Sequence, residues 1–430
     1  MNSTTKSDNS GIATAKFISF VGRRYIGWKA AAYLIASMAV LHTVATWDWD
    51  GQISSVNRAL RHYSFPVVWL ELVILLLAAR LGWRPYQQFS CLPVPAKWLF
   101  SLLCVSVGIT SIFVSGSPIT STLFAIRFLL HGLLIGSLIF LASADHEFDF
   151  KNWVAPLSWG IALYLFALTA FCLLVPDPAS FPWVQRIPSA TNIRQIGNVL
   201  GLMALVPATL LLFERSMPKA RFAALLLMAL LSFIMWSGSR GALLGVCVAT
   251  LFAGWHCRTV IATDRAMLLA FAFGVALTVS LFLPVPDPNF GLIRMAEAVA
   301  SSEPSAGRWQ VWQSTVEAIK TNLLFGHGAG TYRGNMEALT GQPFNHPHNF
   351  ILQFTYDWGI VGGGLAMGLL AWLGFSVISS EKGTVEERFI STGGLAGIVT
   401  MAMIDGALYY PLPIIIVVAL MVPRLVRDQL

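Results

Sequence analysis

The residues best suited to acid–base chemistry are two histidines at the end of a long polar segment, His346-Pro347-His348. Histidine is the side chain whose unperturbed pKa lies nearest neutrality, so a neutral imidazole can take a proton from a hydroxyl at working pH. His348 is followed by an apolar run that has no need of a polar residue at its start. We therefore take His348 as the candidate catalytic base, with His346, His327 and Asn349 as candidate supporting residues.

Arginines at the start of apolar or amphipathic segments form a second candidate group. Arg194, Arg240 and Arg308 each begin such a segment. A guanidinium binds phosphate oxygens through two parallel hydrogen bonds, and the free N–H groups of a helix N-terminus favour the same anion. Lipid head-group binding or helix capping is the alternative role for each. A base beside such groups predicts transfer chemistry on a lipid-linked, phosphate-bearing substrate.

Composition places the chain in a membrane. Of its 430 residues, 56% are hydrophobic and 11% are charged, about half of the charged fraction that is usual for soluble domains. Apolar runs of about twenty residues, long enough to cross a bilayer, recur along the whole chain. The first run, near residues 28–47, is long for a signal peptide and lacks a small-residue cleavage site, so we expect a retained helix.

Charge and cysteine content exclude two other classes. The net charge of +7 comes from basic residues that are scattered between the apolar runs, so no nucleic-acid partner is expected. None of the five cysteines forms a C-x-x-C pair, and neither a zinc site nor a disulfide framework is indicated.

The predicted fold is an all-α polytopic membrane protein of about twelve transmembrane helices, organised as a single integral-membrane domain. Nine helices lie within residues 1–284, a long loop with short interfacial helices covers residues 285–349, and three helices lie within residues 350–430. The predicted spans are 28–47, 65–83, 96–114, 119–142, 153–175, 197–213, 221–237, 240–256, 266–284, 350–378, 387–405 and 411–424.

Basic residues predict the orientation of these spans. They are concentrated in the N-terminal segment, in every second loop and at the C-terminus, which the positive-inside rule assigns to the cytoplasm. The long loop, with His346 and His348, then lies on the external face. Eight arginines are expected on that face against the usual bias, and these are Arg58, Arg61, Arg186, Arg194, Arg240, Arg294, Arg308 and Arg333.

The long external loop has the features of a lid or a site wall. Loops of this length are usually functional or disordered. Trp309, Trp312, Val316 and Ile319 recur at helical spacing, which predicts a helix that lies at the membrane interface. A glycine-rich segment follows and ends at Tyr332, a further candidate supporting residue; its glycines permit close backbone approach.

A metal site is the competing use of the histidines. His327, His346 and His348 could share a metal, but the external carboxylates are scattered along the loop. They are Asp287, Glu297, Glu303 and Glu317. Arginine can neutralise a diphosphate without a divalent cation, so we favour a site with no metal and no cofactor.

The pattern His348-Asn349, nine residues, then Gly359-x-x-Gly362 resembles the signature of bacterial O-antigen ligases. That signature has His, then Asn, Ser or Gln, nine residues, and Gly-x-x-Gly, Thr or Tyr. Asp357-Trp358 replaces the family's usual acidic residue and leucine before the first glycine. Further landmarks resemble the wider ligase/polymerase superfamily in their order, and they are Ser239-Arg240-Gly241-Ala242, Gly307-Arg308 and the segment Gly326 to Tyr332.

The resemblance, which covers about residues 190–375, implies an inverting, metal-independent glycosyl transfer at the periplasmic face of the bacterial inner membrane. The implied donor is O-antigen on undecaprenyl diphosphate, and the implied acceptor is a sugar of lipid A-core. His348 would be the general base, and Arg194, Arg240 and Arg308 would hold the diphosphate and stabilise its developing charge.

Two other functions stay open at the level of sequence. The same chemistry could use another acceptor, as in an O-antigen polymerase or a protein O-oligosaccharyltransferase. An anion transporter is the second alternative, although the chain has no evident internal repeat and few charges within its spans.

Overall fold

The computed structural model describes residues 9–48, 55–143, 149–286, 290–292, 295–296, 307–341 and 344–429. This part of the chain contains helices and connecting segments but no strand, so the all-α prediction is confirmed. The first nine helices are α1 Asn9–Ala45, α2 Ser55–Tyr63, α3 Phe65–Arg80, α4 Pro85–Cys91, α5 Val94–Ile109, α6 Pro118–Ala142, α7 Phe150–Leu174, α8 Trp183–Arg186 and α9 Ile193–Met203.

Nine more helices follow in the described part of the chain. They are α10 Leu205–Phe213, α11 Met217–Trp236, α12 Arg240–Cys257, α13 Thr263–Phe282, α14 Arg308–Thr321, α15 Tyr332–Thr340, α16 Phe350–Ser379, α17 Val385–Ile404 and α18 Pro411–Gln429. A π-helical turn, Thr110–Val114, continues α5.

Every predicted span coincides with a helix or with two consecutive helical segments. Within the described ranges, nine segments are long and apolar enough to cross a membrane, and α3 with α4, bent by 84°, is a tenth candidate. The chain is therefore a multi-pass membrane protein. α17 and α18 contain charged residues within their length, and the total of twelve stays a prediction.

Local sequence determines where the key helices begin. Asn192 caps α9 by accepting a hydrogen bond from the Arg194 N–H at 2.9 Å. Thr384 and Glu387 form a capping box at the start of α17, which satisfies two N–H groups that have no partner within the helix. The Asn192 cap fixes the end of α9 that meets the site, and the capping box fixes the opposite end of α17.

Small residues let the helices of the bundle approach closely. A Cβ on Gly245 of α12 would overlap the Met401 side chain of α17, and one on Gly160 of α7 would overlap the backbone of Ala36 in α1. Close packing of this kind is a main source of helix association in membranes, where lipid is as apolar as the helix surface.

Helix α16 is broken at Gly359, whose φ of 68° and ψ of −174° are not helical. The break frees backbone groups that need partners in apolar surroundings. His327 N–H donates to Tyr356 O at 2.8 Å, and Ile360 N–H donates to Leu323 O at 2.9 Å. The glycine-rich loop after α14 therefore supplies these partners, and it locks the first part of α16 in place.

The two glycines of the Gly-x-x-Gly pattern have different roles. A Cβ on Gly359 would overlap the Leu324 carbonyl group, and its positive φ is unfavourable for any other residue. Gly362 lies against the side chains of Trp358 and Ser106, so it lets α5 approach α16.

The apolar face predicted for the loop helix α14 is only partly correct. The side chains that α14 buries are Val311, Thr315, Ala318 and Ile319. Trp309 and Val316 are 61% and 40% exposed, and with Trp312 they line a groove of about 470 Å³ beside Ile351 and Leu352. The helix thus presents tryptophans on its open side, as expected at a membrane interface.

Three ionisable side chains, Glu71, Arg127 and His131, lie buried between α3, α6 and α17–α18. His131 bonds through Nδ1 to Glu71 at 3.0 Å. Arg127, one helical turn before His131, donates through Nη2 to the carbonyl of Tyr409 at 3.0 Å. Arg127 therefore fixes the turn between α17 and α18, and that turn forms part of the site described below.

We predict that Gly359→Ala destabilises the protein strongly, whereas Gly364→Ala in the same helix does not. Alanine at position 359 adds an unfavourable positive φ, which costs about 1–3 kcal/mol, and it also overlaps the Leu324 carbonyl. Gly364 is the matched control because a Cβ there would meet nothing within 4 Å. Thermal unfolding of the purified variants in detergent measures the difference. Equal melting temperatures for the two variants would contradict the described break.

Candidate active site

Loops and helix ends from five parts of the chain converge around one cavity of about 1040 Å³. These parts are the end of α2, the start of α9, the loop helices α14 and α15, the turn before α16 and the turn after α17. All belong to segments that the charge pattern assigns to the external face, so the predicted common face of the histidines and arginines is supported by their position. His346, His348, Arg194 and Arg308 all line this cavity.

His348 has an unusual backbone conformation at the mouth of α16. Its φ is 57°, which lies in the left-handed region that residues other than glycine rarely occupy. Its N–H donates to His346 Nδ1 at 3.2 Å, and the Trp312 indole holds the preceding carbonyl, that of Pro347, at 2.8 Å. Strain of this kind persists only where the surroundings enforce it, and it is common at active sites.

Asn349 ties the start of α16 to the end of α17. Its Oδ1 accepts hydrogen bonds from the N–H groups of Ile351 and Leu352, at 3.0 and 3.1 Å. Its Nδ2 donates to Met403 O at 3.2 Å. The predicted supporting residue is thus a helix cap that also brings His348 to the turn after α17.

Asp405, the first residue of that turn, is the direct partner of His348. His348 Nδ1 donates to Asp405 Oδ1 at 3.1 Å, and Asn198 Nδ2 of α9 donates to Asp405 Oδ2 at 3.2 Å. Burial alone would raise the pKa of Asp405, but the hydrogen bond from His348 and the nearby positive charge of Arg308 lower it well below its usual range.

This pairing determines which nitrogen of His348 can act as a base. An ionised carboxylate can only accept hydrogen bonds, so the proton on the ring sits on Nδ1. The lone pair is then on Nε2. With 29% of its side chain exposed, His348 can present that nitrogen to a molecule in the cavity.

His346 has a structural role at the floor of the cavity. It is 4% exposed, and its ring lies 5.0 Å from that of Tyr409 and 5.6 Å from that of Tyr410. A Cβ on Gly406 would overlap this ring. Burial, with help from the neighbouring His348, lowers the pKa of His346 well below 6.5, so the ring stays neutral and supports the backbone of His348.

Two of the three predicted arginines lie beside the His348–Asp405 pair. Arg194 precedes Asn198 by one turn on α9, and both it and Arg308 line the cavity. Arg308 begins α14 and is close enough to act electrostatically on Asp405. Arg240 does not line the cavity, although a Cβ on its neighbour Gly241 would lie 3.4 Å from Ile404, the residue before Asp405. Arg240 therefore begins a helix that packs near the end of α17, outside the cavity.

Two predicted supporting residues lie outside the cavity. His327 stacks on Tyr356, with ring centroids 4.7 Å apart, and bonds through Nε2 to Ala318 O at 2.8 Å. The Tyr332 hydroxyl is 2.6 Å from that of Thr315. Both residues hold α14 and α15 against α16 and so support the wall of the site. The predicted external residues Asp287, Arg294, Glu297 and Glu303 lie outside the described residues.

Three side chains of the site could also serve as metal ligands. His346, His348 and Asp405 each offer one ligand atom, and these atoms lie within 4.8 Å of one another. Three protein ligands are typical of catalytic zinc, but the adjacent arginines oppose a cation. The expectation of a metal-free site therefore stays a prediction.

Asp405 and Asn198 are the site residues that sequence reasoning did not identify. A signal was available for Asp405, because it is a lone carboxylate at the external end of an apolar span. Asn198 is a lone amide near the start of α9. Neither residue stands in a motif with His348.

Residues 222–367 match the family model Wzy_C, which describes an O-antigen ligase domain. This match supports membership of the O-antigen ligase superfamily. A comparison with curated proteins found no match. The matched ligase segment includes Arg240, Arg308 and His348, but it ends before Asp405. Members of this superfamily are glycosyltransferase-like enzymes of O-antigen processing, and the cavity is the candidate active site for that chemistry.

We predict that diethyl pyrocarbonate, which acylates accessible neutral imidazoles, modifies His348 and spares His346 in the folded protein. The reason is that His348 is 29% exposed on its side chain whereas His346 is 4% exposed. Peptide mass spectrometry after brief labelling measures both sites. Denatured protein is the control and should be modified at both. Preferential labelling of His346 in the folded protein would contradict the described turn.

Proposed function

We propose that the chain is an O-antigen ligase that transfers O-antigen polysaccharide from undecaprenyl diphosphate to lipid A-core at the periplasmic face of the inner membrane. The observation that supports this proposal best is the His348–Asp405 pair at 3.1 Å, which lines the same cavity as Arg194 and Arg308. That combination provides a base and a binding site for a diphosphate leaving group within one cavity.

The reaction is a single displacement. His348 Nε2 takes the proton of the acceptor hydroxyl while the hydroxyl oxygen attacks the anomeric carbon of the donor sugar. The bond between that carbon and the diphosphate oxygen breaks, and the electron pair leaves with undecaprenyl diphosphate. The configuration at the anomeric carbon is therefore inverted. Asp405 keeps the imidazole in the correct tautomer and stabilises the imidazolium that forms, as the carboxylate of a catalytic triad does.

The arginines act on the leaving group. Negative charge grows on the diphosphate as the glycosidic bond breaks, and two fixed guanidinium groups stabilise it in a partly desolvated cavity. Arg308 and Arg194 are the proposed contacts. Arg240, which lies outside the cavity near the end of α17, is proposed to contribute positive charge from the edge of the site. These cations replace a divalent metal, so the proposal includes no cofactor.

The groove beside α14 supports a lipid-linked donor. It is lined by Trp309, Trp312 and Ile351 and lies next to Asn349, so it opens close to the histidine turn. An apolar chain that enters along this groove would place its diphosphate near Arg308, at the start of the same helix.

The proposal is tested in a strain that lacks this chain. We expect the strain to accumulate lipid-linked O-antigen while making unmodified lipid A-core, and the wild-type chain to restore ligation. His348→Ala should reduce the rate of transfer by about 100- to 10,000-fold, the usual contribution of a general base. Asp405→Asn should also be severely impaired, because an amide does not enforce the required tautomer.

Asp177→Asn is the matched control, since Asp177 is an exposed aspartate of the loop before α8 that bonds to Ser180 and does not line the cavity. It should ligate normally.

Other outcomes in the deletion strain would indicate other functions. Short O-antigen chains attached to core would indicate a polymerase, and intact ligation with loss of a glycoprotein would indicate a protein-modifying enzyme. Near-normal turnover by folded His348→Ala would rule out the general-base mechanism.

A further inference from the structure

We propose that the cavity contains a second anion-binding subsite, formed by Arg333 and His62, that binds a phosphate or carboxylate group of the acceptor. This inference rests on the proposed function, because it assigns Arg194 and Arg308 to the donor and Arg333 to the acceptor in the same cavity. It names a chemical property that the acceptor must have, which is an anionic group close to the reacting hydroxyl.

The cavity contains more cations than the proposed diphosphate contacts require. Four arginines line it, and only two carboxylates, Asp405 and Glu337, stand against them. Arg61 is committed to the fold, because its guanidinium donates to Asn57 Oδ1 at 2.6 Å and to Thr46 O at 2.7 Å. With Arg194 and Arg308 assigned to the diphosphate, the positive charge of Arg333 stays unexplained.

Arg333 and Arg308 influence different groups of the cavity. Arg308 acts electrostatically on His346 and Asp405, whereas Arg333 acts on His62. His62 in turn acts on His346. Arg308 is therefore the arginine near His346 and Asp405, whereas Arg333 is the arginine near His62. An anion at Arg333 would be held by different groups from those proposed to hold the diphosphate.

Arg333 makes few contacts within the described residues. It is exposed on α15, and Nη1 makes only a long hydrogen bond, 3.4 Å, to Asn345 Oδ1. Within the described residues it forms no ion pair, even though Glu337 lies one helical turn away. Tyr332, directly before it, is buried and anchored on α14. A fixed helix thus presents a cation with unused donors to the cavity.

His62, near the end of α2, is the second residue of the subsite and also lines the cavity. Its ring lies 4.8 Å from that of Tyr63 and 6.5 Å from that of Tyr409, so it stands between α2 and the turn after α17. Burial and the charges of Arg127 and Arg333 lower the pKa of His62 to about 4. A neutral imidazole can donate one N–H to an anion that Arg333 holds by charge.

The test compares substrate dependence in the purified full-length protein, with lipid-linked O-antigen as donor and lipid A-core as acceptor. Arg333→Ala should raise the acceptor KM by about 10- to 100-fold, the effect of losing a charge-assisted hydrogen bond. The donor KM should not change. Arg333→Lys should recover part of the loss because it restores the charge. Lys320→Ala, which removes an exposed cation of α14 paired with Glu317, is the matched control and should behave as wild type.

Two chemically modified acceptors identify the anion that Arg333 binds. Lipid A-core that has been dephosphorylated, and separately lipid A-core whose carboxylates have been reduced, are offered to wild type and to Arg333→Ala. One treatment should weaken binding to the wild type to the level of the variant, and the variant should lose nothing more. An unchanged acceptor KM for both treated acceptors, or a rise in the donor KM of Arg333→Ala, would overturn the subsite. Failure of the wild type to transfer at all would instead overturn the proposed function.

Discussion

The hydrogen bond of 3.1 Å between His348 and Asp405 is the interaction on which the site depends, because it joins residues from two different helix ends. It exists only if the start of α16 and the end of α17 meet at the same depth. Asn349 enforces this because its side chain both caps α16 and donates a hydrogen bond to the carbonyl of Met403. Asn198 then brings α9, and with it Arg194, to the same carboxylate. One buried carboxylate thus fixes the base and the position of a cationic helix start.

The broken helix α16 is the second requirement. A continuous helix would carry one apolar surface through the membrane, whereas the break at Gly359 lets the first part of α16 take its own direction. The glycine-rich loop satisfies the freed backbone groups, and this also locks α14 and α15 beside the cavity. Irregular backbone within a membrane is tolerated only where protein surrounds it. Glycines at positions 326 and 359 let the backbone of the loop and that of α16 approach closely enough for this.

Hydropathy and helix caps were sufficient to predict the helical segments, and the ends of those segments were sufficient to identify His348, Arg194 and Arg308 as neighbours. The rest depended on contacts between distant residues. Asp405 lies 57 positions after His348, and nothing local indicates the pairing. The break at Gly359 leaves hydropathy unchanged, so the pattern predicted one straight span. Arg127 and His131 are one helical turn apart on α6, yet Arg127 binds the turn after α17 and His131 binds α3. The buried face of α14 is likewise determined by its contact with α16.

The same three side chains, His346, His348 and Asp405, can serve either as a hydrogen-bonded base or as metal ligands. The account requires the first, because Nε2 of His348 must be free to take a proton and the arginines must neutralise the leaving diphosphate. The direct measurement is glycan transfer by the purified protein from lipid-linked O-antigen to lipid A-core in excess chelator. The account predicts an undiminished rate. Loss of transfer in chelator that is restored by a divalent cation would contradict it.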